Sequence, residues 1–280
     1  MSESWPFRER IDRRAALWWQ ERPSDIHGPR ECHALRKATD DDVEWKCCRF
    51  WQRKLANKWN SREFAKKHGI RVPHLLWSGR DVDAIPFERL PHAYVIRLTS
   101  GHSGAQVMVM VDGVNLLDQK AYSDAAVRER FKGLLTQAFS RTLMLVEEYV
   151  PPLDLIDGSG LPPNYRFHMI GDVVAWVSVS CARRNFGHFT PAWQPFELQV
   201  MRSVHAPYPW RRPDNLEALL DTARTLGRAF GSYVRVDLYD TGDGPVFAEF
   251  APVPSRGRAY TRDADARLSE LWTKHLPDAV

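Results

Sequence analysis

The chain has 280 residues, 44% hydrophobic and 26% charged, which is enough for one large domain or two packed lobes with a sizeable core. No apolar run approaches the roughly 20 residues that span a bilayer, and MSESWPFRERIDRRAALWWQ lacks the apolar core of a secretory signal, so a cytoplasmic protein without a membrane span is expected. The net charge of +4 fits an anionic small molecule as well as a polyanion, and no basic block marks a nucleic-acid stripe.

A helical pattern runs from about Phe7 to Gln20 and ends before Pro23, where a polar stretch continues to Asp42. The four cysteines (Cys32, Cys47, Cys48 and Cys181) show no disulfide spacing, which points to a reducing compartment. His27, Cys32, His33, Cys47 and Cys48 match no zinc-site pattern. Helical pattern resumes from Val43 to His68, and HGIRVP closes it with a glycine and then a proline. Trp5, Trp18, Trp19, Trp45, Trp51 and Trp59 make this region tryptophan-rich, as core or as a docking surface. Strands are predicted at Tyr94–Leu98, Gln106–Val111 and, after a helix near Ser123–Ser140, at Leu143–Val150.

Between the first two strands lies TSGHSGA. A nucleophile elbow needs G-x-S-x-G between a strand and a helix. Here the fifth position is Ala105 and a strand follows, so Ser103 as a hydrolytic nucleophile is the minority reading. The alternative is a glycine loop lying over phosphates.

The second half is richer in β-structure. NYRFHMIGDVVAWVSVS reads as a hairpin turning at Gly171-Asp172. DNLEALLDTARTLGRAF places Leu216, Leu219, Leu220, Ala223, Leu226 and Phe230 on one helix face, and a last helix occupies about Asp263–Lys274. Strands and helices are mixed rather than alternating, which predicts an α+β fold. In GSYVRVDLYDTGDGPVFAEF, a three-residue loop at Gly242-Asp243-Gly244 sets Tyr239 opposite Phe247, Asp237 opposite Glu249 and Arg235 opposite Ala251. Facing carboxylates repel. Either a divalent cation lies between Asp237 and Glu249, with oxygen ligands suiting Mg²⁺, or they form a surface pair relieved by Arg235.

YVIRLTSGHSG, LMLVEEYV, NYRFHMIGD and YVRVDLYDTGDGPVFAEF, with KLANKWNSREFAKKHGIRVP ahead of them, resemble the ATP-grasp superfamily, most closely its TupA-like branch of cell-surface polysaccharide biosynthesis. The resemblance covers about Lys54 to Gly257. It implies the ATP-grasp fold, with two α/β lobes whose antiparallel sheets enclose ATP. It further implies an N-terminal helical region over 1–85, a small lobe with the phosphate loop over 86–142, and a large lobe with the adenine hinge and metal strands over 143–280. By the same resemblance, Ser100, Gly101, Ser103 and Gly104 belong to the loop over the triphosphate. Arg97 stands where the family usually has a phosphate-binding lysine, and Lys58 matches a second one, its other reading being one more charge on a solvated basic helix with Lys54 and Arg62. Glu147, Glu148 and Val150 match the adenine hinge, Arg166 points into the site, and Asp237 and Glu249 hold Mg²⁺. One departure stands out: the superfamily reads E-x-N where this chain has Glu249-Phe250-Ala251, and a methyl group is no ligand.

The implied function is an ATP-dependent carboxylate–amine ligase working through an acyl phosphate, with Arg235 and Arg97 as catalytic groups. Its substrates would be small-molecule, peptide or glycan carboxylates and amines. A kinase acting on a hydroxyl, or a nucleotide-binding protein without turnover, are the alternatives. Loops within 183–208 and PSRGRAY would set specificity, and the oligomeric state is open.

Overall fold

In a computed structural model, which describes residues 4–20, 34–100, 104, 106–138, 141–153, 158–182, 184–203 and 208–277, the strands form two antiparallel sheets. The first sheet has the order β1 (Leu75–Gly79), β6 (Met144–Glu148), β2 (Ala93–Leu98), β3 (Val107–Val111), β4 (Val114–Asn115) and β5 (Lys120–Ala121). Alternation sorts its side chains. Tyr94, Ile96, Leu98, Met108, Met110, Met144 and Val146 bury against Val127 and Phe131 of helix α4 (Asp124–Thr136). Ser123 caps that helix by accepting from the Ala126 amide at 3.3 Å. Odd-numbered neighbours, Arg97 on β2 and Glu147 on β6, are thereby turned to the opposite face.

The second sheet has the order β11 (Val246–Ala251), β10 (Tyr233–Tyr239), β7 (Asn164–Ile170), β8 (Val173–Cys181) and β9 (Arg184–Phe189). On one face Phe167, Met169, Val177, Val179, Val234, Val236 and Leu238 pack on the apolar stripe of α5 (Leu216–Phe230). Gly231, with φ +71°, ends that helix in the left-handed conformation that glycine adopts without strain. Near one end of the sheet, α1 (Pro6–Gln20) and α6 (Arg262–His275) cluster with Ile170, Trp176 and Tyr233. Asp265 of α6 receives the Phe7 and Arg8 amides at 3.0 and 2.8 Å, satisfying donors that the first turn of α1 cannot pair internally.

The continuous helix expected over 43–68 is instead α2 (Asp42–Trp45), a 3₁₀ turn (Trp51–Ala56) and α3 (Lys58–Lys67). Side chains explain the breaks. The buried Lys54 ammonium donates to the Trp45 carbonyl at 2.7 Å, closing α2, and Asn57 accepts from the Trp59 amide at 2.9 Å, opening α3. Trp45 is wholly buried in the core, and Trp59 donates its indole N–H to the Arg36 carbonyl. Trp5 lies against the Arg202 guanidinium.

Four strands were not expected: β1, β9 and the two-residue strands β4 and β5. All five residues of β1 are half-buried, so its sequence has no alternation to read, and β9 falls in the stretch read as loop. β6 lies between β1 and β2 and so belongs to the first sheet, and the next strand in the chain, β7, belongs to the second. The cysteine spacing also misled: Cys48 is disulfide-bonded, while Cys47 and Cys181 are thiols. No helix among the described residues is long and apolar enough to cross a membrane.

The helix α5 approaches the β7–β8 turn so closely that a Cβ on Gly227 would stand 2.2 Å from the Gly171 carbonyl oxygen and 3.1 Å from Met169. Backbone cannot yield as a side-chain tip can. Gly227→Ala is expected to lower the unfolding free energy by about 1–3 kcal/mol, the usual cost of overpacking, measured by urea denaturation. Unchanged stability would show that α5 shifts freely on the sheet.

Candidate functional site

The β10–β11 hairpin carries the acidic pair in the expected register, with Asp237 opposite Glu249 and Arg235 opposite Ala251. Beyond that point the expectation fails. Leu238 pairs with Phe247 and Tyr239 with Val246, so Tyr239 does not face Phe247, and Ala248 is an extra residue on β11. This β-bulge lets Phe247, Ala248 and Val246 all bury while Glu249 keeps its place across from Asp237.

Asp237 is completely buried and held by two hydrogen bonds from Arg235, Nε to Oδ1 at 2.7 Å and Nη2 to Oδ2 at 2.8 Å. Burial pushes the Asp237 carboxyl above its ordinary range, and Arg235 opposes that shift. Glu249 is more open, with its side chain 36% exposed. Burial alone would raise it, but Lys58 at 3.6 Å and Arg235 at 3.6 Å, with Arg97 and Arg166, hold it below the usual carboxylate range. Arg166 of β7 stands 3.8 Å from Asp237, and its buried Nε makes no hydrogen bond. Asn164, also on β7, donates to Asp237 Oδ2 at 3.4 Å.

Lys58 opens α3, and its amide donates to the Thr99 carbonyl at 2.8 Å, which anchors the helix start to the base of the glycine loop. The alternative of a solvated basic helix is overturned: Lys54 and Arg62 are buried, and Lys58 keeps 14% exposure. Burial lowers the Lys58 pKa, and Glu249 opposes the shift. Arg62, one turn further on, meets Glu147 Oε1 at 2.7 Å, while Arg97 Nε meets Glu147 Oε2 at 2.7 Å. For Arg97, burial disfavours the charge, but Glu147 together with Tyr239 and Glu249 outweighs it, so its pKa is raised. Spacing held a signal for Arg62, since a residue four beyond Lys58 shares its helix face.

The expected hinge divides. The Glu147 carboxylate is committed to two arginines, and its residue pairs with Leu75 on one side and Val95 on the other. Glu148 ends β6, its amide donating to the His74 carbonyl, and Val150 follows as a buried residue beyond the strand. In the glycine loop, Ser100 and Thr142 hydroxyls lie 2.8 Å apart and Gly104 adopts φ +66°, a left-handed conformation. Gly101 and Ser103 lie outside the described residues.

Around the facing carboxylates, Lys58, Arg62, Arg97, Arg166 and Arg235 exceed Glu147, Asp237 and Glu249 in number, so the cluster carries net positive charge and attracts anions. The acidic pair also suits a hard divalent cation, because its donors are oxygens only. Among the described residues no group of three or more His, Cys, Asp or Glu could hold a metal. A cation here would complete its shell with neutral oxygens and phosphate, and a buried, unpartnered amide oxygen, Asn164 Oδ1, stands beside Asp237.

Residues 183–272 match the family model of the TupA-like ATPgrasp proteins. No curated protein sequence matches the chain. Among solved structures, D-alanine–D-alanine ligase from Helicobacter pylori is 14% identical, with 80% of this chain and 62% of that one covered at a TM-score of 0.51. The D-alanine–D-alanine ligase of Bacillus anthracis is 13% identical, with coverage of 81% and 66% and a TM-score of 0.50. A RimK-domain ATP-grasp protein from Sphaerobacter thermophilus DSM 20745 is 13% identical over 79% and 69%, with a TM-score of 0.47. The chain spans less than two thirds of either D-alanine–D-alanine ligase. Its fold is the α+β ATP-grasp fold.

Two outcomes follow from the buried charges. Glu147→Gln leaves two arginines facing a neutral amide, and breaking a buried ion pair costs about 3–5 kcal/mol, so a large fall in denaturation midpoint is expected. A near-unchanged midpoint would show water reaching the pair. The second concerns His168, hydrogen-bonded to Ser178 and Tyr233. Burial, with Arg235 next, holds its imidazole well below the ordinary value, so it stays neutral when folded. The unfolded chain takes up that proton near pH ~6.5 and the folded chain does not. Its stabilisation is therefore full above that pH and lost below it, by up to about 1.4 kcal/mol per pH unit. Urea titrations between pH 7.5 and 5.5 should show a shallower slope for His168→Gln than for wild type. Equal slopes would mean that His168 protonates in the folded protein.

Proposed function

From an ATP-grasp fold whose residues 183–272 match the TupA-like family, we propose that this protein is an ATP-dependent carboxylate–amine ligase. The observation that carries the reading is the set of cations from both sheets and α3 that converges on Asp237 and Glu249. Ligation is the activity named for the two D-alanine–D-alanine ligases of similar fold.

In this reading Lys58 and Arg97 hold phosphate oxygens, and Glu147 fixes the direction of Arg97. Ser100 and Gly104, with Gly101 and Ser103, shape the loop over the phosphates, whose backbone N–H groups form an anion-binding concavity. Glu148 and Val150 border the base. A Mg²⁺ ion held by Asp237 and Glu249 would neutralise charge on the β- and γ-phosphates. The acceptor carboxylate oxygen attacks the γ-phosphorus, and ADP leaves. The amine then attacks the acyl carbon of the resulting acyl phosphate. The tetrahedral centre expels inorganic phosphate and the ammonium proton passes to solvent. Arg235, oriented by two hydrogen bonds to Asp237, stabilises the oxyanion at that centre. Arg166 adds a donor toward anionic substrate.

Hydroxylamine, in place of the amine, should trap the acyl phosphate as a hydroxamate when candidate carboxylates are supplied with ATP. With ¹⁸O in the carboxylate, one label should appear in the released phosphate. Arg235→Ala should slow amide formation by ~10²–10³, the usual loss of one oxyanion donor, with little change in ATP affinity. Glu249→Gln should lose most turnover while remaining folded, and Asp237→Asn should lose most turnover with a lower denaturation midpoint, because Arg235 then lacks its buried, charged partner. A stable phosphorylated acceptor with no free phosphate would replace the ligase by a kinase. ATP binding without consumption across acceptors would favour a non-catalytic binder.

A further inference from the structure

A buried amide oxygen without a partner is costly, about 1–3 kcal/mol. Among the described residues, buried asparagines elsewhere avoid that cost. Asn60 Oδ1 accepts from the Arg36 amide at 2.8 Å while its Nδ2 donates to the Ala34 carbonyl at 3.0 Å. Asn115 Oδ1 accepts from the Val109 amide at 3.0 Å. Asn164 differs. Its Nδ2 makes one long bond to Asp237 Oδ2 at 3.4 Å, and its buried Oδ1 has no hydrogen-bond partner.

Its place in the sheet gives that oxygen a purpose. Tyr165 pairs with Leu238 and Arg166 with Asp237, so period-2 alternation puts Asn164 on the face that carries Arg166 and Asp237. The strand β10 lies between β7 and β11. Asp237 therefore has Glu249 directly across on β11 and Arg166 directly across on β7, with the Asn164 amide reaching it diagonally, so that oxygen-bearing side chains come from three adjacent strands. On β11 the residue two beyond Glu249 is Ala251, which has no donor. Rotating the Asn164 amide by a half turn would set its oxygen against Asp237 Oδ2, an arrangement that also calls for a cation.

We propose that Asn164 is the third protein ligand of the divalent cation, its Oδ1 joining Asp237 and Glu249 and supplying the oxygen that Ala251 lacks. An amide carbonyl suits Mg²⁺, which takes oxygen donors. Being neutral, it adds no repulsion to two carboxylates already in register. This inference rests on the reading of the site as one for a metal–nucleotide complex.

Mn²⁺ is a suitable probe, since carboxylate and carbonyl oxygens serve it as they serve Mg²⁺. Free Mn²⁺ would be read by electron paramagnetic resonance during titration of the full chain with saturating non-hydrolysable AMP-PNP. AMP-PNP affinity would be measured separately in EDTA. Asn164→Ala is expected to weaken Mn²⁺ binding about tenfold and leave metal-free nucleotide affinity unchanged. Asn164→Asp, which keeps an oxygen at the position, is expected to bind Mn²⁺ at least as tightly as wild type, and covers the case in which the alanine variant fails to fold. Unchanged Mn²⁺ affinity in Asn164→Ala would overturn the assignment. So would equal losses with and without metal, which would make Asn164 a nucleotide contact, and so would weakened Mn²⁺ binding by Asn164→Asp. Absence of any Mn²⁺–nucleotide complex in wild type would instead remove the metal–nucleotide reading itself.

Discussion

The paired ion bridge of Arg62 and Arg97 with Glu147 is the constraint on which the site depends. It joins α3 to two adjacent strands of the first sheet, β6 and β2, through a carboxylate that is 1% exposed. Charges removed from water must be paired, and two bidentate-capable arginines on one carboxylate satisfy both of its oxygens. The opposite side of α3 reaches the second sheet, where Phe64 packs near Phe250 with ring centres 6.0 Å apart. One short helix thus carries apolar contacts to one sheet and ionic contacts to the other. Lys58, at its first turn, is delivered to Glu249 by that double attachment.

The second sheet divides its two faces by the same economy of pattern. Alternate residues of β7, β8 and β10 are apolar and meet α5, and the residues between them are charged or polar except near the α1–α6 end, where Ile170 and Trp176 are apolar. That polar face is not uniform. Near its α1–α6 end, the His168, Ser178, Tyr233 and Tyr260 side chains bond to one another in a buried network, where a neutral imidazole is the stable form. Toward the hairpin, the side chains are ionised and paired. The boundary keeps a proton-sensitive group away from the carboxylates, while the arginines still depress the imidazole.

The β-bulge at Ala248 reconciles two demands on β11. Val246, Phe247 and Phe250 belong in the core, and a regular strand would send one of two adjacent residues outward. The extra residue absorbs the conflict without moving Glu249 from its place beside Asp237. Bulges next to functional sites commonly re-aim side chains in this way.

Much of this was legible in the chain. Period-2 alternation in YVRVDLY and VFAEF set Asp237 against Glu249, because register and facing follow from local pattern once the turn is placed. The stripe Leu216, Leu219, Leu220, Ala223, Leu226 and Phe230 likewise foretold α5 and its buried face. Other features depend on residues far apart in the chain. Glu147 meets Arg62, 85 residues away, and Arg97, 50 residues away. No spacing rule connects them, and a glutamate in VEEYV reads the same whether it faces a base or an arginine. The half-exposed β1 has no alternation of its own and is a strand because β6 lies beside it. Asn164 became visible only when the third strand brought its amide to Asp237 and left one oxygen unpaired. Local sequence determines which face a side chain takes, whereas the partner it meets there depends on how distant strands and helices pack.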